Sequence, residues 1–155
     1  MSKVLAIFIA ECANSPMQSV DSAHLEAGKG VVGDRYYSES GTFSEKLAGL
    51  PDKEITLIEA EQVDHFNREC GFAFRYSDFR RNVVTAGVRL NELEGKEFSV
   101  GGVRLKGVRL CEPCAHLASV LVPEILPAMA HRAGLRAQIL SDGRIQTGAL
   151  IVEQN

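Results

Sequence analysis

The apolar positions of this chain come in short bursts separated by turn-forming residues. Val4-Leu5-Ala6-Ile7-Phe8-Ile9-Ala10 is apolar and β-branched enough to predict a buried strand over residues 3–10. The polar stretch from Glu11 to Ser22, marked by Ser15 and Pro16, reads as loop. A strand over 23–29 follows and ends in Gly28-Lys29-Gly30, and residues 38–53 read as a long mobile loop. Glu54 to Ile58 alternates as a strand. Ala60, Val63 and Phe66 then recur at helical spacing, with Glu59, Glu61 and Asp64 placing acid in the first turns and Gly71 ending the helix. Asn82 to Thr85 is a further strand, and Leu90 to Lys96 a turn or a single helical turn.

The second half is clearer. Phe98 and Val100, then Gly101-Gly102, then Val103, Leu105, Val108 and Leu110 predict a hairpin around a Gly-Gly turn. Residues 115–121 predict a short helix, and residues 124–133 a helix that stops at Gly134. Ala137 to Leu140, a Ser141-Asp142-Gly143 turn, Ile145, and Ala149 to Val152 predict a second hairpin. Many short strands without a repeating strand–helix–strand rhythm imply a mainly β fold with a few short helices, closed into a barrel, as one domain over residues 1–155. The charged segments 33–36, 78–82, 111–116 and 131–136 fall at strand ends, so several of them are expected at one mouth of that barrel.

Composition narrows the possibilities. With 45% hydrophobic and 24% charged residues, the chain has the balance of a globular protein rather than a disordered one. A net charge of −3 argues against a broad nucleic-acid surface, which needs many basic groups to neutralise phosphates, but leaves room for a local basic pocket. No apolar run approaches the ~20 residues of a membrane span. The N-terminus lacks the basic start, long apolar stretch and cleavage site of a signal peptide, so a cytoplasmic protein with no membrane partner is expected. In that compartment the four cysteines are reduced thiols unless they carry chemistry.

Cys111-Glu112-Pro113-Cys114 is the first candidate for such chemistry. Strand prediction ends at Leu110, so the pair opens a loop or helix N-terminus, where backbone N–H groups favour a thiolate. A thiolate can attack disulfides, carry a persulfide sulfur or ligate a soft metal. Four readings stand side by side: half a zinc site completed by His116 and His131, a dithiol redox pair, two packing thiols, or one reactive cysteine beside a lesser neighbour. Arg80-Arg81-Asn82 is second. On an extended backbone the two arginines point to opposite faces, one toward a site and the other toward solvent or an ion pair with Asp78. In Gly33-Asp34-Arg35 the aspartate can lock the arginine, and in His131 to Arg136 the cations sit where a helix would end. Cys12 and Cys70 read as packing or surface thiols. No phosphate-binding glycine loop, His-Glu-x-x-His or Gly-x-Ser-x-Gly occurs.

Read in order, Val32-Gly33-Asp34-Arg35-Tyr36-Tyr37, Arg80-Arg81-Asn82-Val83-Val84, Leu93 to Gly101, Leu110-Cys111-Glu112-Pro113-Cys114 and Gly134-Leu135-Arg136-Ala137, with Asp142-Gly143 and Gly148, resemble the MOSC domain, the C-terminal domain of the molybdenum cofactor sulfurases. The likeness spans roughly residues 20–152 and rests on order and spacing. It implies a β-barrel of complex topology and handling of the molybdenum cofactor (molybdopterin), a pterin whose dithiolene sulfurs hold the metal and whose phosphate needs cations. In the relatives that reduce amidoximes and N-hydroxylamines, the second cysteine of the pair ligates molybdenum; in others a cysteine carries sulfur for delivery. The resemblance assigns the ligand or persulfide role to Cys114. It assigns cofactor contacts to Arg35, Arg80, Arg81, Asn82, His116 and Arg136. No pyridoxal-phosphate site is recognised. Neither the desulfurase domain of the sulfurases nor the second barrel of the reductases is recognised either. A stand-alone domain of this kind implies a cysteine desulfurase or an electron donor acting in trans. A dithiol redox or zinc-binding module built on both cysteines is the alternative.

Overall fold

A computed structural model describes residues 1–154. The strands are β1 (Lys3–Ile9), β2 (Gln18–Val20), β3 (Ser22–Glu26), β4 (Gly30–Val31), β5 (Ile55–Glu59), β6 (Val83–Ala86), β7 (Glu97–Val100), β8 (Val103–Leu110), β9 (Leu135–Ile139), β10 (Gly143–Gln146) and β11 (Ile151–Glu153). The α-helices are α1 (Ala60–Cys70), α2 (Ala115–Val120) and α3 (Ile125–Ala128). Single 3₁₀ turns cover Pro51–Lys53, Tyr76–Phe79 and Leu90–Leu93.

Eight strands form one sheet in the order β11-β7-β8-β9-β5-β6-β1-β2, and β10, β3 and β4 form a second. The fold is therefore β-rich, but the expected closed barrel is met only in part: the large sheet is an open half-barrel. The reason lies on the outer edge of β1. Ile7, Phe8 and Ile9 use that edge to pair with β2, so only the start of the strand is left to meet the other end of the sheet. It does so through an isolated bridge between Lys3 and Leu150 and through Val4 N–H to Ala149 O at 2.9 Å.

The predicted hairpin over 98–110 forms as β7 and β8, with Gly101 and Gly102 both at positive φ (55° and 86°), as a tight turn between twisted strands requires. The second predicted hairpin does not form. β9 pairs with β5 and β8, β10 with β3, and β11 with β7. The turn residues themselves direct this. Asp142 Oδ1 accepts the Ala27 N–H at 2.7 Å, and Ser141 Oγ accepts the Arg104 N–H at 2.9 Å, so each fastens to a different distant segment. β5, α1 and β6 make a parallel strand–helix–strand unit, α1 ending at Gly71 in the left-handed region (φ 75°). The helix predicted over 124–133 shortens to α3, and residues 11–22, read as loop, contribute β2 and the start of β3.

Two apolar clusters fill the molecule. One lies within the curved sheet around Ile7, Leu57, Phe98, Leu105 and Leu135. The other lies between the sheet and the helices, where Phe66 and Phe79 meet edge to face, joined by Leu117, Ile125 and Met129. The ends of β5, β6, β8 and β9, with the start of α2, meet beside the second cluster, and the site sits there. No helix among the described residues is long and apolar enough to cross a membrane.

Candidate functional site

β8 ends at Leu110, and the chain turns through Cys111-Glu112-Pro113-Cys114 into α2. Cys114 is the residue that caps α2: its Sγ accepts the Leu117 N–H at 3.4 Å. Its side chain is half-buried and faces a cleft, whereas Cys111 is buried, 2% exposed, and its backbone N–H donates to Gly134 O at 2.8 Å. Glu112 holds the loop, its carboxylate accepting the His131 backbone N–H at 2.6 Å and pairing with the His131 ring. His131 adopts a positive φ of 62° there, and its carbonyl accepts from Asn91 Nδ2 at 2.7 Å.

The cleft has two lobes that share Phe43, Arg81, Cys114 and Arg136. The inner lobe is lined further by Arg35, Tyr36, Thr42, Thr56, Arg80, Cys111, His116 and Leu117. The outer lobe adds Lys46, Leu47, Arg109, Leu110, Glu112 and Pro113. Thus Arg35, Arg80, Arg81, Cys114, His116 and Arg136, distant from one another along the chain, come to one place.

Their roles in that wall differ. Arg81 lies across three segments: Nε donates to Ala133 O at 3.0 Å, Nη1 to Phe79 O at 3.2 Å and Nη2 to Cys111 O at 3.2 Å. It thereby fixes the cysteine loop to β6 while its charge has no carboxylate partner. Arg80 does not point to the opposite face, as an extended backbone would require. Its backbone is left-handed (φ 60°, ψ 32°) at the end of a 3₁₀ turn, so both arginines reach the cleft. Arg80 Nη1 donates to Ser15 O at 2.7 Å, and Nη2 is buried without a hydrogen-bond partner. Burial first, and then the neighbouring Arg35, lower the Arg80 pKa from its ordinary value. Asp78, the expected ion-pair partner, bonds instead to Arg75.

Arg35 is locked as Gly33-Asp34-Arg35 implied, its Nη1 3.0 Å from Asp34 Oδ1. Its Nη2 donates to Arg80 O at 3.0 Å, and its guanidinium lies 4.8 Å from the Tyr36 ring centre. Arg136, half-buried on β9, faces Thr56 of β5 across the ladder and has no ion pair among the described residues. His116 is exposed at the rim and meets Phe43 edge to face, ring centres 6.4 Å apart. Asn82 lies behind the wall. Its Oδ1 accepts from Thr56 N at 3.1 Å and from Thr56 Oγ1 at 3.3 Å, and its Nδ2 donates to Phe8 O at 3.2 Å. It holds Thr56, which does line the cleft.

Sequence patterns did not point to Phe43, Thr56, Lys46 or Arg109. Phe43 and Lys46 lie in a stretch with no periodicity, pinned by the buried Leu47. Arg109 sits on an exposed strand position and pairs with the buried Asp52. Chemically, the cleft offers one accessible soft sulfur amid cations. Among the described residues no group of three or more His, Cys, Asp or Glu gathers to enclose a metal, so a zinc site completed by His116 and His131 finds no support.

A family model for the MOSC domain matches residues 44–152. That span includes the Arg80–Asn82 and Cys111–Cys114 segments and leaves Arg35 outside it. Among solved structures the fold is similar to the YuaD protein from Bacillus subtilis, with a TM-score of 0.82 at 17% identity over 100% of this chain and 97% of that one. It is also similar to YiiM from Geobacillus stearothermophilus (TM-score 0.77, 16% identity, 100% and 76% of the chains) and YiiM from Escherichia coli (0.71, 17%, 99% and 70%). At such identities the likeness concerns the fold. No curated protein matches the sequence.

Proposed function

The chain belongs to the MOSC domain family, and from that premise we propose that it handles the molybdenum cofactor, with Cys114 as the sulfur that ligates molybdenum or carries a persulfide. The observation that carries this reading is the pairing of one accessible thiol with a wall of arginines, most of whose charges have no carboxylate partner.

The donor set fits the group. A metal enclosed by protein alone needs several ligands, and the cleft has one sulfur to give. The pterin brings two sulfurs of its own, so one soft protein ligand suffices. Its phosphate needs cations, and Arg81 and Arg136, shared by both lobes, supply charge without losing it to a nearby acid. When bound, the cofactor would supply a metal centre for oxygen-atom or sulfur chemistry. The chain's own residues hold and orient: the α2 cap fixes the direction of Cys114 Sγ, Arg81 fixes the loop that carries it, and Phe43 with His116 limits access from one side. Reduction of N-hydroxylated compounds and sulfur delivery are two uses of the same sulfur. Either draws electrons or sulfur from a partner protein in trans, an electron donor or a cysteine desulfurase, and proceeds in the cytoplasm.

The dithiol alternative treats the two cysteines as equals. Their burial separates them, since Cys111 is enclosed and Cys114 is open to the cleft. The test is persulfide uptake from a cysteine desulfurase with labelled sulfur, together with molybdenum and pterin content after anaerobic expression in a cofactor-making host. Wild type and Cys111→Ser should retain label or cofactor and Cys114→Ser should lose both. Equal absence of both from all three proteins ends the proposal.

A further inference from the structure

The chain has three tyrosines, and two of them use their hydroxyls on nearby acids. Tyr37 Oη donates to Glu26 Oε2 at 2.6 Å, and Tyr76 Oη donates to Asp64 Oδ1 at 2.9 Å. Tyr36 differs. Its backbone N–H donates to Asp34 Oδ2 at 3.3 Å, but its hydroxyl has no hydrogen-bond partner among the described residues, although the residue is only 9% exposed. Nor is that hydroxyl sealed off. Arg80 Nη2 is the one side-chain atom found both buried and unpaired among the described residues, so the unpaired Tyr36 oxygen keeps accessible surface. Tyr36 lines the inner lobe, as Cys114 does. The ring is held in place. The Arg35 guanidinium lies 4.8 Å from its centre, and Gly41 packs so closely that a Cβ there would stand 2.7 Å from Cε1 and 2.8 Å from Cζ. The oxygen also stands near Arg80: after burial and Arg35, which lower the Arg80 pKa, Tyr36 is the next influence and raises it. The inner lobe holds about 50 Å³, against about 200 Å³ for the outer. It has room for a few water-sized groups, so it takes the reacting end of a substrate while the body stays outside it.

We infer that Tyr36 is a catalytic proton donor, whose hydroxyl faces the group presented to Cys114 and gives its proton to the oxygen leaving an N-hydroxylated compound. The inference rests on the proposed role of Cys114 and, of its two uses, on reduction. It adds the acid that reduction needs. Conversion of R–NH–OH to the amine and water consumes two electrons and two protons. The N–O bond breaks as the nitrogen is reduced, and the electron-donor protein is oxidised by two electrons. Tyr36 supplies one proton to the departing oxygen and water supplies the other, after which the tyrosinate takes a proton back from water. Arg35 and Arg80 stand where the negative charge of the tyrosinate develops, which stabilises it during the transfer. Other groups on the lobe are less suited. Arginine does not give up its proton, Cys111 is 2% exposed, His116 stands at the rim, and the Thr56 hydroxyl is used on Asn82 Oδ1.

The placement is tested on the full chain without cofactor, labelled with carbon-13 at tyrosine Cζ, so that each of the three tyrosines gives one nuclear magnetic resonance signal. Iodoacetamide leaves an acetamide group on Cys114, at the inner lobe. The Tyr36 signal is expected to move by more than its linewidth, while those of Tyr37 and Tyr76, held by Glu26 and Asp64, stay. Cys114→Ser, alkylated in the same way at its remaining cysteines, should show no such move. The proton transfer is tested on molybdenum-loaded protein, with a reduced viologen as electron source and N-phenylhydroxylamine as substrate. Tyr36→Phe keeps the ring and removes the proton. It should lower kcat about a hundredfold, keep KM within about threefold of wild type and leave the molybdenum content unchanged. A purely structural role would move the metal content or KM instead, and that result overturns the inference. So does a Tyr36 signal that ignores the acetamide, or a Tyr36→Phe protein as fast as wild type, and each of these leaves the role of Cys114 standing. Loaded wild type that breaks no N–O bond overturns the inference together with the reductive use of Cys114. Wild type that never acquires molybdenum removes the cofactor reading as well, even where the Tyr36 signal moves.

Discussion

The two lobes of the cleft meet at Cys114 and differ in how their charge is balanced. In the outer lobe Arg109 pairs with the buried Asp52, and Glu112 is held by His131, so of the charged groups peculiar to that wall Lys46 alone has no partner among the described residues. In the inner lobe only Arg35 is so treated. Arg81 bonds to three carbonyls, which satisfy its N–H groups without cancelling its charge, and Arg80 keeps one buried nitrogen unpaired. A wall most of whose own charges are internally balanced can serve structure alone. A wall of guanidinium groups without carboxylates is stable only with something anionic or with water against it, and this separates the inner lobe as the place for ligand chemistry.

Both lobes rest on Gly134, and the contrast between them depends on it. Its φ is 121°, and a Cβ there would stand 2.2 Å from Leu57 O. Its carbonyl accepts from Cys111 N, and the preceding carbonyl accepts from Arg81. Gly134→Ala is expected to cost more than about 4 kcal/mol or to prevent folding, read by urea denaturation. A loss below about 1 kcal/mol would mean that the β5–β9 junction is looser than the contact implies.

Arg81→Met comes next and separates scaffold from ligand wall. It removes three hydrogen bonds from a charged donor, and about 3 kcal/mol of stability should go with them. Arg81→Lys should recover little of it, because a single ammonium cannot reach Ala133, Phe79 and Cys111 in the same planar pattern. Full recovery by lysine would mean that Arg81 acts by charge alone, as Arg136 does.

The smallest effect lies away from the cleft. Glu54, buried next to Lys53, accepts the Ile139 N–H at 2.9 Å and the Gly28 N–H at 3.2 Å, and burial raises its pKa above the ordinary 4.5. Well below that value the carboxyl is protonated in both states and has no effect on the pH dependence. As the pH rises past it, the unfolded chain releases its proton first, the folded state binds more protons, and stability falls until the folded group has ionised as well. Wild type should therefore lose stability relative to Glu54→Gln as the pH rises from 4.5 toward neutrality. The opposite sign in paired urea midpoints would mean that the two N–H donors outweigh desolvation.

Legibility in the sequence followed how local each interaction is. The β7–β8 hairpin and the end of α1 at Gly71 are set by neighbouring residues, and both were plain in the pattern. The apparent second hairpin misled because Ser141 and Asp142 bond to Arg104 and Ala27, which no local pattern shows. Barrel closure was overread for a similar reason: β2, hidden in a polar stretch, takes part of the β1 edge. At the site, the Cys111 and Cys114 pair stood out by its spacing and by the helix it precedes, while only the resemblance to the MOSC domain singled out Cys114. Arg80 was visible as a residue but its direction was not, since a left-handed backbone at a non-glycine residue has no clear signature. Asn82 read as a ligand contact, and its amide is used on Thr56 and Phe8 instead. Phe43 came from a stretch with no periodicity, placed by the burial of Leu47 four residues on.

Everything proposed for the cleft turns on Cys114, and not its neighbour Cys111, being the sulfur through which the cofactor is handled. The decisive quantity is molybdenum per chain, measured on protein made and purified without air in a cofactor-making host. Wild type and Cys111→Ser should carry the metal together with pterin, and Cys114→Ser should carry at most about a tenth as much, the fall expected from losing a metal ligand. Equal molybdenum in wild type and Cys114→Ser, or a loss that follows Cys111 instead, would refute the assignment.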